Sequence, residues 1–306
     1  MKDLNGFLII NKNKGCTSHD CVKKIRNLLK IKKVGHTGTL DPEVTGILPI
    51  AIGNATKFIQ YLPQEKTYEG IIKLGIRTDT DDIQGKVIAK GKLPVLNNQE
   101  LEKYLDFFRG TIKQVPPNLS SVHINGERAY KKFFKNEKFE LPPKEVRVNK
   151  LFLKKWNQHK GEIEFQINCS SGTYIRAIAR DLGKLIKSEG CLLKLTRTEA
   201  SGFDNQKVIK FENINELKTN LDNLLIPTIQ ALDHLPTFTI NNSKELLYWS
   251  TGRKLLINKE DIIPNKNLNK DDPIKVIYDV HDLLGIGWFT ENESTCIQPK
   301  LVLNAQ

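Results

Sequence analysis

Apolar residues come in short runs separated by strongly polar stretches, and their period changes from run to run. Phe7 to Asn11 reads as a short buried strand. Cys21 to Ile31 instead spaces Val22, Ile25, Leu28 and Leu29 at helical intervals with lysines between, which predicts an amphipathic helix capped by Thr17 or Ser18. Ile47 to Gly53 and Tyr68 to Leu74 have the content of strands. Gln99 to Phe108 returns to helical spacing at Leu101, Tyr104, Leu105 and Phe108, closed by Gly110. From Val115 to Val148 periodicity fades among prolines, lysines and aromatics, so a long loop or an excursion from the core is expected. Glu162 to Cys169 alternates, Ser170 to Thr173 has turn composition, and Tyr174 to Lys187 carries Ile175, Ile178, Leu182 and Leu185 on one helical face.

Strands and helices in irregular order predict an α+β architecture with a mixed, largely antiparallel sheet. A boundary is expected between Pro227 and Pro236, dividing the chain into 1–230 and 231–306. The second part has three apolar runs, Ile274 to Tyr278, Leu283 to Phe289 and Pro299 to Leu303, which suit a compact β module.

Composition narrows the function. With 39% hydrophobic and 27% charged residues in 306, the chain is globular rather than disordered. Its net charge of +12 points to a polyanionic partner, since Lys and Arg contacts to phosphates release condensed counterions. The excess is uneven. Residues 1–40 hold Lys2, Lys12, Lys14, Lys23, Lys24, Arg26, Lys30, Lys32 and Lys33 against only Asp3 and Asp20. A solvated helix face would account for part of that cluster, and both readings can hold together. The five cysteines are scattered without a Cys-x-x-Cys pair, so reduced thiols in a cytosolic protein are expected rather than disulfides or zinc. No apolar run approaches the ~20 residues that cross a bilayer, and no signal-peptide core is expected.

The basic segment leads into Gly35-His36-Thr37-Gly38-Thr39-Leu40-Asp41-Pro42-Glu43-Val44-Thr45-Gly46. Gly38 and Gly46 are read as positions of unusual backbone freedom, and Pro42 pushes Asp41 toward extended geometry. Such a loop holds one carboxylate out from the surface. An isolated Asp-Pro is usually just a turn; the company of His36, the basic approach segment and later tyrosine and arginine loops argues for more.

This loop, with Gly6 to Lys12, Thr17-Ser18-His19 and Ala55-Thr56-Lys57 around it, resembles the TruB family of tRNA pseudouridine synthases. The resemblance continues through Lys66-Thr67-Tyr68, Leu74 to Asp81, Phe108-Arg109-Gly110, Gln114 to Pro117, Ser171 to Arg176, Asp181-Leu182-Gly183 and Leu195 to Thr198, spanning about residues 6–202 in the family's order. It implies isomerisation of the uridine at position 55 in the TΨC arm of tRNA, by base flipping, with a pseudouridine synthase fold and a PUA-like RNA-binding module at 231–306. It also implies no cofactor and no metal, no membrane, no obligate protein partner and a cytoplasmic monomer.

Position by position, the resemblance makes Asp41 the catalytic aspartate and Arg176 the arginine that pairs with it. Tyr68 becomes the tyrosine stacked on the extruded base, its hydroxyl a candidate for proton transfer. His36 contacts RNA where the base has left the stack, Tyr174 and Leu195 are pocket contacts, and Lys12 is a loop lysine near the site. Taken singly, His36, Tyr68, Tyr174 and Leu195 are ordinary core or sheet-face residues, and Arg176 could pair structurally with Asp181. The run Arg77 to Asp82 is acidic, but Ile83 and Gln84 break the spacing of an EF-hand loop. Three departures from the family pattern stand out: Asn11-Lys12-Asn13 in place of Asp-Lys-Pro, His123 in place of lysine, and Phe133-Phe134 in place of Ala-Arg. A noncatalytic RNA-binding or RNA-folding protein on the same fold, and a guide-dependent synthase, are the rivals.

Overall fold

The computed structural model describes residues 4–264, 268–279, 282–291 and 295–303. A ten-stranded mixed sheet is built from β1 (Gly6–Lys12), β2 (Val34–His36), β3 (Thr45–Ile52), β4 (Lys66–Leu74), β5 (Gly110–Gln114), β6 (Lys144–Asn157), β7 (Glu162–Cys169), β8 (Gly190–Ala200), β9 (Val208–Lys210) and β10 (Ile226–Pro227). Its main path runs β9-β1-β3-β8-β4-β7-β6-β5, with β2 on β3 and β10 on β1. Only β1–β9 and β3–β8 are parallel. The expected α+β class with a largely antiparallel sheet is therefore what forms.

The apolar run of β1 is buried on both faces, as its lack of alternation requires. Leu8 and Ile10 enter the main core with Val22 and Ile25 of helix α1 (Ser18–Leu29), while Phe7 and Ile9 enter a second core behind the sheet. Helix α1 starts where Thr17 accepts from the Asp20 amide and Asp20 accepts from the Thr17 amide, a capping box that satisfies two orphan donors. Helix α2 (Asn98–Asp106) is closed in the same way by Asn97 and Glu100.

The stretch expected to leave the core is partly ordered. It holds the hairpin 123–128, helix α3 (Ala129–Phe134) and a satellite cluster of Val122, Ala129 and Leu141 against which Tyr174 packs. It ends earlier than Val148, because β6 already begins at Lys144. Helix α4 (Ile175–Leu185) follows the predicted turn and buries Ile175, Ile178 and Leu182.

A second, six-stranded sheet is formed by strands from Thr237 to Val302. Its three longest strands, Pro273–Tyr278, Asp282–Glu291 and Thr295–Val302, cover the three apolar runs read in the sequence. It does not hang from a linker. Ile226–Pro227 still pairs with β1, and Leu232, Leu235 and Ile286 share the second core with Phe7, Ala51 and Phe58. Lys275 reinforces the junction by donating to the Ile229 carbonyl at 3.4 Å as well as to Asp233 at 2.8 Å.

Candidate active site

The site opens where β3 and β8 part. Their parallel pairing lasts only from Thr45–Thr196 to Gly46–Arg197, where the two threonine hydroxyls lie 2.9 Å apart. Gly46 has φ of +108°, and a Cβ there would lie 2.1 Å from the Arg197 carbonyl oxygen, so this approach requires glycine. Gly38, read as a similar position, has no positive φ; a Cβ there would meet the flexible end of Lys66 instead. Beyond the junction lies a cleft of about 370 Å³ lined by Asp41, Ile71, Asp82, Arg176, Leu192 and Leu195 among others.

Asp41 stands at this cleft with its side chain 46% exposed. Arg176 approaches from the first turn of α4, almost enclosed, and its Nη2 lies 2.9 Å from Asp41 Oδ2. Arg176 is itself fixed by donating to the Thr80 and Leu119 carbonyls at 3.0 Å each, with Asp82 Oδ2 at 3.8 Å. Asp181, the structural partner considered for Arg176, pairs instead with Arg180, which also binds buried Asp81 at 2.8 Å. Burial raises the Asp81 pKa, and Arg180 works against that rise. Buried Gln114 holds the start of α4: it accepts from the Tyr174 amide at 2.8 Å and donates to the Tyr174 carbonyl at 3.1 Å.

Of the remaining candidates Leu195 lines this cleft, whereas Tyr68, Tyr174, His36 and Lys12 are not among its lining residues. Tyr68 on β4 is only 8% exposed and belongs to the main core; burial raises its pKa, Arg197 opposes that, and Asp41 adds a smaller upward push. Burial also raises the Tyr174 pKa. His36 ends β2, with its pKa lowered by burial and then by the positive charges of Arg197, His19 and Lys66. Lys12 is not turned to the cleft. It is fully buried and its ammonium donates to the carbonyls of Asn13, Cys16 and Pro42, so it holds the back of the Asp41 loop.

Known proteins resemble the chain over its whole length. The TruB family pseudouridylate synthase N-terminal domain matches residues 26–175. A tRNA pseudouridine synthase B of Prochlorococcus marinus strain MIT 9301 is 58% identical over 306 residues, covering 100% of both chains. The chain belongs to the TruB family of pseudouridine synthases. The protein of the same name from strain SARG is 44% identical, over 98% of this chain and 97% of its own. Among solved structures, a chain of a Cbf5-Nop10-Gar1 complex has a TM-score of 0.74 at 20% identity, covering 97% of this chain and 84% of that one. A chain of an H/ACA RNP bound to a substrate RNA containing 2'-deoxyuridine has a TM-score of 0.73 at 19% identity, with the same coverage. These two share the fold.

Within this TruB-family fold, sequence reading passed over Arg197. It is fully buried on β8 and donates Nε to the Ile47 carbonyl at 2.8 Å, Nη2 to Gly38 at 3.2 Å and Nη1 to Thr39 at 3.4 Å. It thus sets the backbone two and three residues before Asp41, while burial lowers its own pKa. Its only sequence signal was membership of the Leu195-Thr196-Arg197-Thr198 stretch. Among the described residues no three His, Cys, Asp or Glu side chains gather as metal ligands would. In the acidic run, Asp81 is paired with Arg180, while Asp79 and Asp82 accept from the Lys86 and Gln84 amides. No described helix is long and apolar enough to cross a membrane.

Proposed function

We propose that this protein isomerises the uridine at position 55 in the TΨC arm of tRNA to pseudouridine, with Asp41 as its nucleophile. The observation that carries the reading is the Asp41–Arg176 pair at 2.9 Å on the rim of an otherwise largely apolar cleft. Arg176 engages Oδ2, and among the described residues Oδ1 has no hydrogen-bond partner, which leaves one carboxylate oxygen for the substrate. The relatives named tRNA pseudouridine synthase B support tRNA as the RNA class.

The reaction conserves every atom. The N1–C1′ bond breaks, a C5–C1′ bond forms, and the proton that leaves C5 is replaced by one taken up at N1. A carboxylate can support this by attacking the ring, which ties the base to the protein while it turns, or by attacking C1′, which ties the ribose and frees the base to turn. The target base is stacked within a folded arm, so it must be extruded at a cost of a few kcal/mol. Tyr68 and Tyr174 supply aromatic surface beside Asp41 to offset that cost, Leu195 lines the pocket, and His36 faces the RNA where the base has left. Residues 231–306 act as a PUA-like RNA-binding module, and the enzyme works in the cytoplasm as a monomer without a guide.

Incubating the pure protein with unmodified tRNA, then mapping pseudouridine along the product, tests this reading. Conversion at position 55 without added guide RNA is expected. Conversion elsewhere, or only with a guide, would replace it.

A further inference from the structure

Beside the Asp41 loop Lys66 has no task in the proposed chemistry, and it stands in one basic group with Arg197 and His36. Lys66 opens β4, opposite Cys169 of β7 and Ala200 of β8. Its ammonium lies under the loop, 3.0 Å from where a Cβ on Gly38 would sit. Among the described residues, its hydrogen-bond partner is the Ser171 hydroxyl at 3.3 Å, and it has no carboxylate within ion-pair distance. Arg197 behind it is likewise unpaired with any described carboxylate and uses its guanidinium on backbone carbonyls. His36 completes the group, its Nδ1 buried and without a hydrogen-bond partner among the described residues.

Such a cluster is costly until an anion enters. Burial, and then the positive charge of Arg197, lower the Lys66 pKa, and the same two causes act on His36. A buried or half-buried charge is ordinarily paired, and here the counter-charge is missing from the described protein. The Lys66 ammonium and the Ser171 hydroxyl beside it are groups of the kind that hold a phosphate oxygen. The Lys66 ammonium stands between Gly38, three residues before Asp41, and Ser171, five residues before Arg176, so an anion bound to it is adjacent to the reacting nucleotide.

We propose that Lys66 and the Ser171 hydroxyl form a binding site for one RNA phosphodiester, that of a nucleotide flanking the extruded uridine. The inference rests on the tRNA reading above. Seated there, the phosphate neutralises the cluster and fixes the strand on one side of the base, so the base enters the cleft in a single register with Asp41.

The test uses the full chain and an unmodified TΨC-arm hairpin in which each phosphate near the target is replaced, one at a time, by a neutral methylphosphonate. Lys66→Gln is expected to lower the steepness of log affinity against log salt by about 0.7 to 0.9, the share of one neutralised phosphate. One methylphosphonate that weakens binding to the wild type should have no further effect on Lys66→Gln, and Lys66→Arg should behave as wild type. An unchanged salt slope, or equal penalties at every methylphosphonate in both proteins, would overturn the phosphate site. Conversion of the native hairpin by the wild-type protein separates the two readings: without conversion the enzyme assignment fails, and with conversion only the phosphate site is at stake.

Discussion

At the scale of residues, three cationic side chains surround one carboxylate loop, each with a different task. Arg176 binds the Asp41 side chain, Arg197 binds the Gly38 and Thr39 carbonyls, and Lys12 binds the Pro42 carbonyl. Both the carboxylate and its backbone are thereby fixed before RNA arrives, which is how a site avoids reorganisation during reaction. His36 gives this crowding a measurable consequence. Its pKa in the folded protein lies below the ordinary value of about 6.5, so the unfolded chain takes up the proton first and stability falls as pH drops below that value. Thermal midpoints of wild type and His36→Gln between about pH 6.5 and 5 should show a shallower acid decline in the variant; parallel declines would contradict the assignment. The residues that touch the cleft were legible because their types and order carry the resemblance. Arg197 and the true position of Lys12 were not, since a charged residue in a strand reads as exposed until tertiary contacts supply carbonyls to receive it.

At the scale of elements, the site depends on how α4 begins. Tyr174 precedes the helix and makes no side-chain cap, yet its amide and carbonyl are both taken by Gln114 from β5. Replacing Gln114 with Ala takes away the partner of the Tyr174 amide, while the carbonyl keeps the Ala177 and Ile178 amides, and losing such a buried bond costs about 1 to 3 kcal/mol. Urea unfolding should show that loss, and turnover should fall because Arg176 lies two residues on. An unchanged midpoint would mean that the helix start is held by packing alone. Periodicity located β1, β3, β4, β7, α1, α2 and α4 to within a few residues, but it missed β6 and β8. Both contain register shifts, between Val148 and Lys150 and between Leu153 and Lys155 in β6, and between Leu192 and Lys194 and between Arg197 and Glu199 in β8. Each extra residue reverses the in-out alternation, so the pattern that marks a strand cancels over its length.

At the scale of the whole molecule, the charge excess is the property that RNA meets first. The structure divides the N-terminal lysines. Lys23, Lys32 and Lys33 are exposed, whereas Lys24 stacks 4.4 Å from the Phe211 ring and donates to the Phe211 carbonyl. Replacing the three exposed lysines with Gln should weaken tRNA binding and flatten its salt dependence by up to about 0.9 for each phosphate no longer neutralised; an unchanged slope would return them to a solvated helix face. The second sheet shares a core with the first, so the proposed RNA-binding part is held against the catalytic sheet rather than tethered to it. That junction was read in the sequence only as a boundary, because Leu232 and Leu235 carry no sign of which sheet they will meet.

The central claim is that Asp41 performs the chemistry while its surroundings bind the RNA. It is tested most directly by the yield of pseudouridine at position 55 of unmodified tRNA for wild type and Asp41→Asn, at protein concentrations above the dissociation constant of each. Product is expected with the wild type and none with Asp41→Asn, whose tRNA affinity stays within a few-fold of wild type. An Asp41→Asn variant retaining even about a tenth of wild-type turnover, a barrier increase of only about 1.4 kcal/mol, would show that another group carries the reaction.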